Sequence, residues 1–183
     1  MDYNPYQVTE AVSWQDRAAH RIMELEGLNY SYKAIHQRQD YSTRPDGMIT
    51  VSYKEPPKPN KPTTYTKGYG DNTAVPNEYG SELEAETNLK NRLVPEYVKH
   101  SKDLFNNYDM FSERLRIELL QSVFRGWNSP DTAKLINQGK FKEAAVEFLN
   151  NDEYNLALAK ITKNWGIVPR MYSVYEALMA EEE

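Results

Sequence analysis

The stretch SWQDRAAHRIMELEG (13–27) decides how the chain begins to fold. Ser13 precedes Asp16 by three residues, the spacing at which a hydroxyl and an acid satisfy the free N–H groups of a helix start. Trp14, Ala18, Ile22 and Leu25 recur at helical spacing and give one apolar face. Gly27 is a natural terminator for this helix. Glu26 follows Ile22 and Ala18 at whole-turn spacing, so it shares their inward face, whereas Glu24 points away. A carboxylate on that face is unusual, because burying its charge is costly. The helix C-terminus also disfavours a further negative charge. Both effects favour the neutral acid that a proton donor requires. A plainer reading stands beside it, in which Glu26 is an end-of-helix glutamate bonded to an arginine.

On either side of this helix the pattern changes. Residues 1–12 read as an extended arm. Residues 29–73 carry Tyr, Thr, Val and Ile in short runs broken by Pro and Gly. Met48 to Tyr53 reads as a strand after a Pro45-Asp46-Gly47 turn, and Pro56 to Pro62 as an extended proline-rich connection. From Ser81 onward the chain is helical. Ser81 and Glu84 form a capping box, and Ser129-Pro130 puts a cap before a first-turn proline. Gly139 closes that helix. Ala144, Ala145, Phe148 and Leu149 form the buried stripe of the next. Pro169 opens a last helix carrying Met171, Val174, Tyr175 and Leu178. The expected class is α+β, mainly α.

The chain has 183 residues, enough for one domain with a real core. Its 39% hydrophobic content and 14 tyrosines are far from a disordered composition. Without cysteine there is neither a disulfide nor a thiolate metal site. His20, His36 and His100 form no His-x-x-x-His pair, so no zinc site and no other cofactor is expected. A net charge of −5 argues against generic nucleic-acid binding. The charge is uneven: residues 31–70 carry a net +4. That strip reads either as a solvated loop or as a face for an acidic polymer. MDYNPYQVTE has no basic start and no apolar core, so no signal peptide is expected, nor is stable membrane insertion.

TYTKGYGD (64–71) places Gly68 and Gly70 around Tyr69. A dinucleotide fingerprint needs a third glycine and a following helix, and a phosphate-binding P-loop needs Gly-Lys-Ser/Thr. Both are absent. A strand-turn with its glycines at positive φ is the simple alternative.

Five blocks together resemble the phage lysozymes, the family 24 glycoside hydrolases. MELEGLNYSY (23–32) resembles the family's Glu-Gly-Leu-x-x-x-x-Tyr opening, and TYTKGYGD its Thr-x-Gly-x-Gly-His signature. LLQSVFRGW (119–127) looks like its apolar helix ending in Phe-Asn-x-Gly. PDTAKLINQGKFKEAAVEFL (130–149) and WGIVPRMYSVYEAL (165–178) are similar to its two closing blocks. The blocks keep the family's order.

The resemblance implies a lysozyme-like fold: a small β-containing N-terminal lobe, a helical C-terminal lobe and a cleft between. That makes residues 13–183 one bilobed domain, with an insertion over about 34–63. It implies a muramidase that cuts the β-1,4 bond between N-acetylmuramic acid and N-acetylglucosamine in peptidoglycan. Glu26 corresponds to the general acid, Thr66 to the threonine that helps place water, and Arg170 to the arginine that pairs with the glutamate. Tyr69, Gly70 and Phe124 fall where the glycan would be bound, on a β-edge whose glycines let the backbone approach sugar. The second carboxylate has no matched position. Asp46 is the first candidate and Asp40 the alternative, though Pro-Asp-Gly is also ordinary turn chemistry. Asp71 stands where the family has histidine, and Arg125 where it has asparagine. A monomer is expected, made in a host cytoplasm and reaching the wall through a holin-like protein or as a virion component. The competing reading is a lysozyme-fold protein that binds glycan or builds a virion without hydrolysis.

Overall fold

The computed structural model describes residues 12–26, 49–50, 53–54, 65–74, 78–127, 129–161 and 166–181. Gly27, Tyr32, Asp40, the Pro45–Gly47 turn and the proline-rich stretch lie outside the described residues.

Helix α1 (Trp14–Glu26) starts as its sequence dictates. Ser13 Oγ accepts from the Asp16 N–H at 3.1 Å, and Asp16 Oδ2 accepts from the Ser13 N–H at 3.2 Å. Ala18, Ala19 and Ile22 are buried. Trp14 packs edge-on against Tyr108 and takes the Arg116 guanidinium 4.7 Å above its ring. A bidentate pair from Arg17 to Glu113, both bonds 2.6 Å, ties α1 to the start of helix α4 (Glu113–Phe124).

The β region is small. Strands β1 (Ile49–Thr50) and β5 (Tyr79–Gly80) pair antiparallel. Strands β2 (Tyr53–Lys54), β3 (Tyr65–Lys67) and β4 (Asp71–Ala74) form a second antiparallel sheet, in that order. Within the strand expected from Met48 to Tyr53, the described residues Ile49–Thr50 and Tyr53 pair with strands of different sheets. Residues 65–74 form a hairpin, with Gly68 at φ +53° and Gly70 at φ +85° supplying its left-handed turn.

Helix α2 (Glu82–Asn88) opens with the expected capping box. Ser81 Oγ accepts from the Glu84 N–H at 3.2 Å, and Glu84 Oε2 accepts from the Ser81 N–H at 2.7 Å. Such a cap contributes about 1 kcal/mol. A π-helical turn (Leu89–Leu93) leads into α3 (Val94–Leu104). Pro95 explains it: proline lacks an N–H, and its ring crowds the carbonyl four residues back. The Val94 N–H reaches the Leu89 carbonyl, five residues back, which widens the turn just where proline enters.

The core gathers on α4, whose Leu115, Leu119 and Leu120 are fully buried. It packs against α1, α3 and the last helix, α8 (Ile167–Ala180). Helices α5 (Pro130–Asn137), α6 (Phe141–Leu149) and α7 (Asp152–Leu158) complete this part. Ala144, Ala145 and Phe148 face inward as the periodicity predicts. Helix α8 begins at Ile167, two residues before Pro169. A third-position N–H has no intrahelical acceptor, so proline there loses nothing. The class is α+β with helix dominant. No helix among the described residues is long and apolar enough to cross a membrane.

Candidate active site

Glu26 and Arg170 are 144 residues apart in sequence and meet in space: Arg170 Nη2 donates to Glu26 Oε1 at 2.7 Å. Helix α1 delivers the carboxylate on its last turn, and α8 delivers the guanidinium on its first. The Glu26 side chain keeps 27% of its exposure while Arg170 keeps 13%, so the pair sits at a surface with the acid on the open side. The structure shows the arginine-bonded reading of Glu26, and the general-acid reading is compatible with that contact.

A polar network stands behind the pair. Arg170 Nη2 also lies 3.4 Å from Gln121 Oε1, and Gln121 Nε2 donates to Glu118 Oε2 at 3.2 Å. Arg21 Nε donates to Glu118 Oε1 at 3.1 Å. The Ser173 hydroxyl lies 2.8 Å from Glu118 Oε2 and 2.7 Å from the Arg170 carbonyl. Gln121 and Glu118 are buried within α4. The network joins α1, α4 and α8 through neutral and charged partners, which is how a carboxylate becomes tolerable among leucines. Beside it opens a cleft of about 460 Å³ whose wall includes Gln121, Arg125, Trp127, Glu153 and Arg170. Arg125 pairs with Glu153 there.

The hairpin residues are placed differently from expectation. Thr66 lies half-buried on β3, the central strand of its sheet rather than an edge, opposite Tyr53. Tyr69 is 6% exposed and belongs to the hydrophobic core, so its ring packs instead of offering a face to sugar. A Cβ on Gly68 would stand 2.9 Å from the Ala85 Cβ, and one on Gly70 would stand 3.1 Å from the Phe124 ring. The glycines thus let the turn approach α2 and α4, where a sugar-facing backbone was expected. Gly70 and Phe124 are brought together, with Phe124 leaning on Tyr97 at 4.8 Å between ring centres. Asp46 and Asp40 lie outside the described residues. Among the described residues no group of His, Asp and Glu could hold a metal ion.

Sequence reasoning missed two groups. Asp71 is a buried carboxylate, 2% exposed, held by three hydrogen bonds and an ion pair. Thr73 N–H and Oγ1 reach its Oδ1 at 3.0 and 2.7 Å, and Asn88 Nδ2 and Arg92 Nη2 reach its Oδ2 at 2.9 and 2.6 Å. Burial pushes this carboxyl up, but the bonds from Thr73 and Arg92 outweigh it and hold it below the usual aspartate value. No local signal marks this role, because Arg92 is 21 residues away. Glu118 had a readable signal: it is the lone acid between Leu115 and Val123, next to Ile117, Leu119 and Leu120. Comparisons with protein-family models, curated proteins and solved structures find no match for this chain.

Proposed function

We propose that this protein is a muramidase, a glycoside hydrolase that cleaves peptidoglycan between N-acetylmuramic acid and N-acetylglucosamine. The observation that carries the reading is the 2.7 Å contact between Glu26 and Arg170. The resemblance to phage lysozymes expects that pair from two separate motifs, and the fold joins them. A partly exposed acid, paired with an arginine that lines a polar cleft, is an arrangement that suits proton donation to a bound polysaccharide.

In the proposed reaction the Glu26 proton passes to the glycosidic oxygen as the bond from that oxygen to the anomeric carbon breaks. The leaving sugar departs as an alcohol. Water attacks the anomeric carbon and yields its proton to a second carboxylate, for which Asp46 and Asp40 are the candidates. Thr66 helps to place that water. Arg170 holds the Glu26 carboxyl in direction before transfer and balances its charge afterwards. Inverting chemistry requires the two carboxyl groups to lie about 6.5–9.5 Å apart. The protein works on the wall side of a membrane and reaches it through a partner that opens the membrane, or within a virion.

Digestion of purified murein, followed by borohydride reduction, tests this reading. A muramidase leaves reducing N-acetylmuramic acid ends, recovered as muramicitol. Folded protein that binds murein but creates no new reducing ends belongs to the non-catalytic glycan-binding reading instead.

A further inference from the structure

We propose that Glu118 is a positioning residue for the Glu26–Arg170 pair, acting by fixing which end of the Gln121 amide faces Arg170. The proposal rests on the reading of Glu26 as the general acid. A glutamine amide has nearly the same shape when turned over, but its oxygen only accepts and its nitrogen only donates. Arg170 only donates, so only the Gln121 oxygen can meet it. Glu118 Oε2 accepts from Gln121 Nε2 at 3.2 Å and thereby points Oε1 at Arg170 Nη2, 3.4 Å away. Turning the amide over would set donor against donor at Arg170 and acceptor against acceptor at Glu118. Gln121 is 2% exposed and Glu118 7%, so both side chains are largely shielded and a mismatched amide orientation is costly.

Glu118 is itself held firmly. Arg21 Nε bonds its Oε1 at 3.1 Å, and the Ser173 hydroxyl stands 2.8 Å from its Oε2. The lock matters because Arg170 has little else to orient it. Its Nε is buried with no hydrogen-bond partner among the described residues, so the guanidinium plane is set by what its Nη2 meets. Glu118 has no hydrogen bond to Glu26 and does not itself line the cleft; its effect on the Arg170 guanidinium passes through Gln121.

The test reads Arg170 directly. Protein labelled with ¹⁵N-arginine reports rotation of each guanidinium by NMR, and R170K identifies the signal. Wild type should show slow rotation at Arg170, and E118Q should speed it at least about tenfold, since an amide at that position no longer dictates the Gln121 orientation. On murein, kcat should fall roughly 10- to 100-fold, with KM changed by less than about twofold. E118Q should fold, because Arg21 keeps a carboxylate in Glu24 at 3.5 Å. Q121M, which keeps side-chain volume and removes both amide ends, gives a second route if it does not. The double variant E118Q/Q121M should be no worse than Q121M alone. Unchanged Arg170 rotation in folded E118Q or Q121M would overturn the proposal, as would additive effects in the double variant. Faster rotation in E118Q alongside a wild type that never cleaves murein would support the lock and defeat only the muramidase reading.

Discussion

Asp71→Asn should be among the most damaging single-atom changes in the molecule. The side chain is 2% exposed, and its Oδ2 faces two donors, Asn88 Nδ2 at 2.9 Å and Arg92 Nη2 at 2.6 Å. An amide oxygen can keep the Thr73 bonds on the Oδ1 side. The amide nitrogen must then point donors at donors on the other. Breaking a fully buried ion pair by removing one partner costs about 3–5 kcal/mol. The Arg92 side chain is 41% exposed, however, and its Nη1 keeps Glu96 at 3.8 Å, so its charge is not left alone. A cost of about 2–3 kcal/mol remains, close to the worth of one or two hydrogen bonds to a charged group. For a chain of this size that lowers Tm by about 4–12 °C. Urea unfolding followed by circular dichroism measures it.

The pH dependence sharpens the test. The Asp71 carboxyl titrates below its ordinary value of 3.8 in the folded protein, since the Thr73 and Arg92 bonds overcome the opposing effect of burial. A depressed carboxyl contributes stability that is fully present above the unfolded value and is lost as pH falls through the folded one. The gap between wild type and D71N should therefore be constant from neutral pH down to about 5 and close below about 4. A gap that persists undiminished at pH 3, or a D71N protein as stable as wild type, would refute the buried-charge account.

Further outcomes follow from other contacts. Gly68→Ala puts a methyl 2.9 Å from the Ala85 Cβ at φ +53° and should cost about 1–3 kcal/mol in urea unfolding. Ala85→Gly should recover part of that loss, so the two changes couple in a double-mutant cycle. Tyr108→Phe removes a buried hydroxyl that donates to the Arg116 carbonyl at 2.7 Å and should cost about 1 kcal/mol. Burial also pushes the Tyr108 phenol well up, so ultraviolet titration of the folded protein should leave it un-ionised while exposed tyrosines ionise.

The helices were legible where their signals are local. Ser13 with Asp16 and Ser81 with Glu84 mark their helix starts by short spacing, and the same atoms form the caps. The apolar stripe of α6 is likewise read from its period. What failed depends on partners far along the chain. Met48 to Tyr53 alternates like one strand, yet its two ends pair with different strands. Tyr69 sits between glycines as an exposed turn residue would, but α2 and α4 close over the turn and bury it. The Glu26 side of the site was legible because an acid on an apolar helical face is conspicuous. The Gln121 end was not, because a glutamine in an apolar helix carries no sign of which neighbour it will meet.

The most direct test of the central claim compares wild type with Glu26→Gln in the clearing of purified murein, with both shown to be folded. Gln keeps the shape and the acceptor for Arg170 Nη2 and removes the transferable proton, so clearing by wild type should fall at least about a hundredfold in the variant. Equal clearing by the two proteins would contradict the account and place the catalytic acid elsewhere.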